Sequence, residues 1–339
     1  MDVKKQLIKV LEEYNRFGIA NQFDYDKFYL YSLITHSTAI EGSTVTEIEN
    51  QLLFDEGISA KGRTMQEQLM NIDLKNAYEH SISLAKMHTD FSVDMLKNMS
   101  AIVMKNTGSS YSTLQGSFDS SKGELRLVNV TAGAGGRSYL NYQKVPAHLE
   151  TFCTQLNERR KALMHSHDII EKYLLSFDAH YHLVTIHPWV DGNGRMSRLV
   201  MNHLQFEYGL VPTKVNKEDK ADYIQALIDS REQESTETFR FFMLHQHIKN
   251  LKQEIESFLR SQDGGQKTSQ VDRKSGQKTR EAILQLIRED DKISSTAMAQ
   301  RLGINRSAVS KHLKALKDAN VIRREGPDKG GIWVILPPR

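Results

Sequence analysis

His187-Pro188-Trp189-Val190-Asp191-Gly192-Asn193-Gly194-Arg195-Met196-Ser197-Arg198 stands between two stretches of helical periodicity, Ile169 to Ile186 and Leu199 to Tyr208. It reads as a tight loop that closes one helix and opens the next. Gly192 and Gly194 let backbone amides approach a ligand closely, and the following helix offers its N-terminus, a pairing suited to phosphate. Asp191 can give an oxygen to a magnesium ion shared with those phosphates. Arg195 and Arg198, one helical turn apart, can aim two guanidinium groups at the same anion. His187 supplies a group able to take a proton near neutral pH. These residues predict nucleotide phosphates held beside a proton acceptor.

On either side of this loop, apolar residues recur at spacings of three and four, from Leu7–Tyr14 and Phe28–Ile40 through Leu149–Leu163 to Phe239–Phe258, which predicts a mainly α-helical body. The exception is GELRLVNVTAGAGGRSYLNY, Gly123 to Tyr142, where Leu125, Leu127, Val128 and Val130 alternate with polar residues before a Gly-rich turn. That pattern predicts an irregular β-hairpin. Gly42 follows a periodic helix and suits a C-terminal cap, while Thr44 with Glu47 has the form of a capping box. Glu41 then falls in the last helical turn, where the helix dipole opposes a negative charge, and it calls for a cation partner.

The chain has 339 residues, of which 39% are hydrophobic and 26% charged, which predicts two or three domains at roughly 150 residues each. With 20 Gly and 6 Pro, collagen, low-complexity and wholly disordered classes are excluded. No apolar run approaches the ~18 residues of a membrane span, so no membrane partner is expected. The start, MDVKKQLIKVLEEYNRFG, carries Glu12 and Glu13 within its apolar periodicity and reads as an amphipathic helix, not a signal peptide. The single cysteine, Cys153, excludes an internal disulfide framework and a cysteine-built zinc site, reads as a small core residue, and makes the cytoplasm the expected compartment. His180, His182 and His187 do not form a zinc set, because residues two apart on a helix face different ways. His180 is expected beside the loop and His182 in solvent.

Charge is uneven. From Arg273 to Arg339 there are 15 Lys or Arg against 7 Asp or Glu, although the whole chain carries only +3. The segment 261–277, SQDGGQKTSQVDRKSGQ, has one aliphatic residue, Val271, and reads as a linker. Beyond it, Thr279–Ile287, Ser294–Leu302 and Asn305–Leu316 predict three helices, and VIRREGPDKGGIWVILP predicts a hairpin, the order of a winged helix-turn-helix. Arg306, Ser307, Ser310 and Lys311 would open its recognition helix, with Arg323 and Arg324 on the wing, a set suited to DNA. Such modules also serve as protein-docking units.

The loop resembles the signature of the Fic domain family, His-Pro-Phe-x-Asp-Gly-Asn-Gly-Arg-x-x-Arg, departing from it only where Trp189 replaces Phe. The resemblance implies a helical Fic core with a β-hairpin flap, joined here to a small α+β winged-helix domain. It implies transfer of AMP from ATP to a Tyr, Ser or Thr hydroxyl of a target protein, self-modification included. His187 would be the base and Asp191 the Mg2+ ligand. The stretch Gly192, Asn193, Gly194, Arg195, Met196, Ser197 and Arg198 would bind ATP, together with Val130, Thr131, Ala132 and Gly133 of the flap and Tyr223 near the adenine. Ser37-Thr38-Ala39-Ile40-Glu41-Gly42 is similar to the family's inhibitory pattern, with Ser37, Glu41 and Gly42 at its specified positions. Because it precedes the loop, the resemblance is to class II members, in which Glu41 would pair with Arg198. The resulting division is 1–88 for the N-terminal region with the inhibitory helix, 89–260 for the Fic core, 261–277 for the linker and 278–339 for the winged helix. Removal of AMP, another phosphoryl transfer and a DNA-binding regulator using the Fic body as a nucleotide sensor stay open as alternatives, as does a homodimer.

Overall fold

Side-chain caps set where several helices begin. Asp2 caps α1 (Val3–Arg16), Ser92 caps α5 (Val93–Val103) and Asp168 caps α7 (Ile169–Ile186). Reciprocal Thr/Glu capping boxes open α3 (Glu47–Glu56) at Thr46 and α4 (Met65–Lys86) at Thr64. The remaining helices are α2 (Tyr25–Ile40), α6 (Val145–Leu163), α8 (Asn193–Glu207), α9 (Lys220–Glu232), α10 (Glu237–Glu289) and α11 (Ser295–Leu302). The computed structural model describes residues 2–22, 24–132 and 136–302, and then 309, 312, 313, 316, 317, 321–325 and 332–336; the side chains of 263–281, 296 and 300 are outside the description.

The chain divides into two compact units, 1–255 and 256–339. In the first, α7 and α8 pack on each other, α4 packs on α8, and α2 packs on α4. Leu74, Leu96, Met99, Leu149, Leu183, Met196, Leu199 and Val200 are fully buried at their centre. This packing brings the end of α2, the loop before α8 and the start of α9 to one place. In the second unit, Ile283, Ile287, Met298, Val309, Leu313 and Trp333 share a core, and β3 (Ile322–Glu325) pairs antiparallel with β4 (Ile332–Ile335). That hairpin was expected. No helix of the described residues is long and apolar enough to cross a membrane.

Three local expectations change. The capping box opening α3 is Thr46 with Glu49. Thr44 instead donates its N–H and hydroxyl to Glu67 at 2.7 Å each, and Glu47 accepts from Ser32 on α2. Among the described residues of the stretch Gly123 to Tyr142 there is one antiparallel bridge, Thr131 with Ser138, in place of a ladder. Side chains take up its backbone groups: Arg126 donates to the Val128 and Leu140 carbonyls, and Asn129 accepts from the Tyr142 N–H. A regular hairpin lies just before it, β1 (Ser110–Thr113) with β2 (Gly116–Asp119). The segment 261–277 has helical backbone within α10. Its Gln, Lys and Arg residues are good helix formers, and growth from an existing helix needs no new nucleus.

Candidate active site

Helix α7 ends at Ile186, and His187 follows in the left-handed region at φ +53°. A side chain there is strained backbone, held where a loop must turn sharply. The His187 Nδ1 lies 3.2 Å from the Val184 carbonyl. Facing an acceptor, Nδ1 carries the proton and Nε2 keeps its lone pair. The Tyr139 ring stacks on the imidazole at 3.8 Å between centroids and 19° between planes. Burial above all, helped by the Arg126 and Arg231 charges, pushes the imidazole down to about 4, so it is neutral at pH 7.

The turn itself is tied internally. The Trp189 N–H donates to Asn193 Oδ1 (3.1 Å), Asn193 Nδ2 donates back to the Trp189 carbonyl (2.9 Å), and Trp189 Nε1 donates to the Gly123 carbonyl (3.1 Å). Gly192 opens α8 at φ +80°, and a Cβ there would come within 2.8 Å of Met104 Sδ, so this position requires glycine. Asp191 accepts from the Gly192 N–H at 2.6 Å, and its other oxygen lies 3.7 Å from Arg195 Nη2.

Glu41 is the last residue of its segment, C-capping α2, and its carboxylate reaches α8. Glu41 Oε1 accepts from Arg198 Nη2 at 2.5 Å. The same guanidinium donates to the Ser37 hydroxyl (2.8 Å) and carbonyl (3.0 Å), and Nη1 lies 3.4 Å from the Tyr223 hydroxyl. A Cβ at Gly194 would meet Glu41 Oε1 at 2.6 Å, which sets the carboxylate directly over the first turn of α8. Burial raises the Glu41 carboxyl, but Arg198 with its hydrogen bond, Arg195 and Lys220 outweigh this and hold it below the usual range. Arg198 is buried; burial disfavours its charge, and Tyr223 and Glu41 more than restore it.

Beside this pair opens a cavity of about 460 Å³, lined by Glu41, Ala132, Tyr139, Gly194, Arg198, Lys220, Tyr223 and Arg231, with Ile40, Ile224, Leu227 and Ile228 forming its apolar wall. A groove of equal volume between α6 and α7 contains no residue of the loop 187–198.

His187, Asp191, Gly192, Gly194, Arg198, Ser37, Glu41, Ala132 and Tyr223 converge around the cavity and its loop. Gly42 sits just past the end of α2 at φ +104°. Thr131 and Val130 stand one and two residues before Ala132 in the flap, with the Val130 carbonyl accepting from the Tyr139 N–H at 3.0 Å. Arg195 lies beneath the loop, buried against Val103 and Met104. Met196 packs in the core, the Ser197 hydroxyl is buried, and the Asn193 side chain is engaged by Trp189. His180 is buried and hydrogen-bonds the Tyr223 hydroxyl at 2.8 Å, while His182 is exposed, both as expected. Arg323 pairs with Glu325, and Arg324 lies over the Trp333 ring at 4.7 Å. Gly133, Arg306, Ser307, Ser310 and Lys311 lie outside the described residues. Sequence reasoning missed Arg126, Tyr139, Lys220 and Arg231. Arg126 interrupts an otherwise apolar pair, Leu125 and Leu127, and that was its only signal.

A histidine-capped helix, a Gly-rich turn into a second helix and a carboxylate from a third meet at one site within the first unit. The family model for the Fic/DOC family matches residues 90–205, and one for winged helix-turn-helix DNA-binding matches 277–323. Among curated relatives, protein adenylyltransferase fic-1 of Caenorhabditis elegans is 26% identical over 60% of this chain and 36% of its own length. Protein adenylyltransferase Fic of Drosophila melanogaster is 25% identical over 67% of this chain and 42% of its own. The chain thus spans less than half the length of these relatives. A Fic domain containing signaling protein from Bacteroides thetaiotaomicron shares the fold at a TM-score of 0.60 and 18% identity, covering 75% of this chain and 96% of that one. A Fic family protein from Desulfovibrio desulfuricans does so at 0.56 and 19%, covering 100% and 96%.

Proposed function

We propose that this protein transfers AMP from ATP to a Tyr, Ser or Thr hydroxyl of a target protein, and that Glu41 holds it in a self-inhibited state. The observation that carries the reading is the Glu41 carboxylate seated on Arg198 and over Gly194, at the helix N-terminus where a phosphate would bind. The neutral His187 stands ready in the same loop. In the reaction, the target hydroxyl passes its proton to His187 Nε2 while its oxygen bonds the α-phosphorus. The bond from that phosphorus to the β-phosphate oxygen breaks, and pyrophosphate leaves. Tyr223 and the apolar wall of the cavity would take the adenosine, and Arg198, once free of Glu41, the terminal phosphate.

Among the described residues no cluster of three or more acidic, His or Cys groups could hold a metal ion. Asp191 alone, exposed at the turn, fits Mg2+, which typically takes one or two carboxylates and fills its shell with phosphate oxygens and water. Bound there, Mg2+ would offset phosphate charge. We also propose DNA as the partner of the winged-helix module, supported by its excess of basic residues, and the cytoplasm as the compartment.

Peptide mass spectrometry after incubation with ATP, Mg2+ and lysate tests the reading. Glu41→Gly should carry or deposit AMP adducts, and both Glu41→Gly/His187→Ala and Glu41→Gly/Asp191→Asn should lose them. No adduct from folded Glu41→Gly protein would overturn it.

A further inference from the structure

Arg126 takes no part in the roles assigned above, yet it is 1% exposed. Its donors all go to backbone carbonyls: Nε to His187 (2.7 Å), Nη1 to Val128 (2.7 Å) and Nη2 to Leu140 (2.5 Å). Its own N–H donates to the Pro188 carbonyl at 3.1 Å. Among the described residues no carboxylate pairs with it. A buried guanidinium without a counter-ion is costly unless every donor is satisfied, and burial does lower its proton affinity. The acceptors come in two pairs. Val128 and Leu140 lie on the two arms of the flap; His187 and Pro188 are the strained turn of the catalytic loop. No other charged side chain of the described flap residues reaches that turn.

We propose that Arg126 is a positioning residue that locks the flap and the catalytic loop into one unit, so that seating of the flap fixes the orientation of His187. The link from flap to base is Tyr139, whose N–H donates to Val130 across the flap and whose ring covers the imidazole. The Arg231 guanidinium, 5.0 Å from the centre of the Tyr139 ring, holds that ring in place. A target strand that docks on the flap would thereby act on the base through Tyr139, without touching it. This inference rests on the transferase reading for its purpose, but its test does not.

Hydrogen exchange and histidine NMR are measured on the full chain for wild type, Arg126→Gln, Arg126→Lys and Tyr139→Ala. In Arg126→Gln, exchange should rise about tenfold or more in peptides covering 126–131, 139–144 and 184–192 together, while α4 and α5 stay protected. The His187 titration should move from about 4 towards its ordinary 6.5 as the ring loses its cover. Arg126→Lys should restore part of both. Tyr139→Ala should move the His187 titration and leave exchange at 184–192 as in wild type. The proposal fails if the flap loosens alone with His187 unmoved, or if α4 and α5 loosen with everything else, which would make Arg126 a core residue only. In the Glu41→Gly background, Arg126→Gln should lower kcat with the KM for ATP unchanged. Coupled exchange without transfer in any variant would sink the transferase reading and leave the lock standing.

Discussion

Replacing Glu41 with Gln keeps the side chain's shape and removes its charge, and the pair with Arg198 supplies the magnitude. A hydrogen-bonded pair that is wholly buried loses about 3–5 kcal/mol when broken. The Glu41 side chain is 30% exposed, so water screens part of this. The Arg198 guanidinium also keeps both of its bonds to Ser37, so it is not orphaned. A preference for the closed arrangement of about 2–3 kcal/mol remains. At about 1.4 kcal/mol per tenfold, removing it raises the open population, and with it the rate, about 30- to 150-fold. Glu41→Gly should do the same, since Gly suits the end of α2. The assay is initial-rate AMP incorporation at saturating ATP, with calorimetric ATP binding alongside. Folded Glu41→Gln and Glu41→Gly proteins that work within twofold of wild type would refute the reasoning, because the pair would then not compete with nucleotide.

Burial holds His203 and His247 down to about 3, alongside His187. Groups depressed in the folded state give stability that is full above their unfolded value near 6.5 and is lost as pH falls towards the folded one; at pH 5 the loss is about 2 kcal/mol for each of His203 and His247. Glu207 and Glu254, raised by burial, reduce the net effect. Urea midpoints at pH 7.5, 6 and 5 should therefore fall steadily, and a flat profile contradicts this account. Trp189→Phe should lose about 1–3 kcal/mol, because the Gly123 carbonyl gives up its indole donor in a buried place and a void is left, measured as a lower midpoint with unchanged denaturant slope. For the winged helix, a fluorescent DNA duplex should be retained by the full chain at low salt. Affinity should fall linearly in log–log salt with a slope of about −0.9 per phosphate contacted, and Arg323→Glu should weaken it. No retention at about 50 mM salt removes DNA as its partner.

The loop 187–198 was legible because its chemistry is written in consecutive residues: a base, a carboxylate, two glycines and two arginines need no tertiary information to be placed together. The helices were legible for a related reason, since their periodicity reports a face to bury. Glu41 could be read from helix-end electrostatics, although its partner lies 157 residues away. Arg126 could not. Its partners at His187 and Leu140 are reached only through the tertiary fold, and on an alternating strand pattern an arginine reads as a solvent-facing position. Tyr139 and Arg231 belong to the same case, one on the far arm of the flap and one on α9. The β1–β2 hairpin was missed because Ser110–Thr113 and Gly116–Asp119 are four-residue strands with only Tyr111 and Phe118 as strand-forming aromatics. Conversely, glycine and serine content misread 261–277, where flanking helix outweighs composition.

Within the proposed function, the placement of the brake decides what release requires. Glu41 acts on Arg198, not on His187, so in the closed arrangement the base is already neutral, its tautomer is set by Val184 and its ring is covered by Tyr139. Nothing in the catalytic turn has to be rebuilt when the carboxylate leaves. The carboxylate itself sits at the C-terminus of α2, where the dipole opposes it by roughly 0.3–1 kcal/mol. That opposition keeps the hold short of what the same pair would reach elsewhere. Lys220, at the start of α9 and lining the same cavity, offers a second cation to a carboxylate that swings away. A brake assembled this way is strong enough to exclude a phosphate at rest and weak enough to yield to a displacement of one helix end, while the fold around it stays intact.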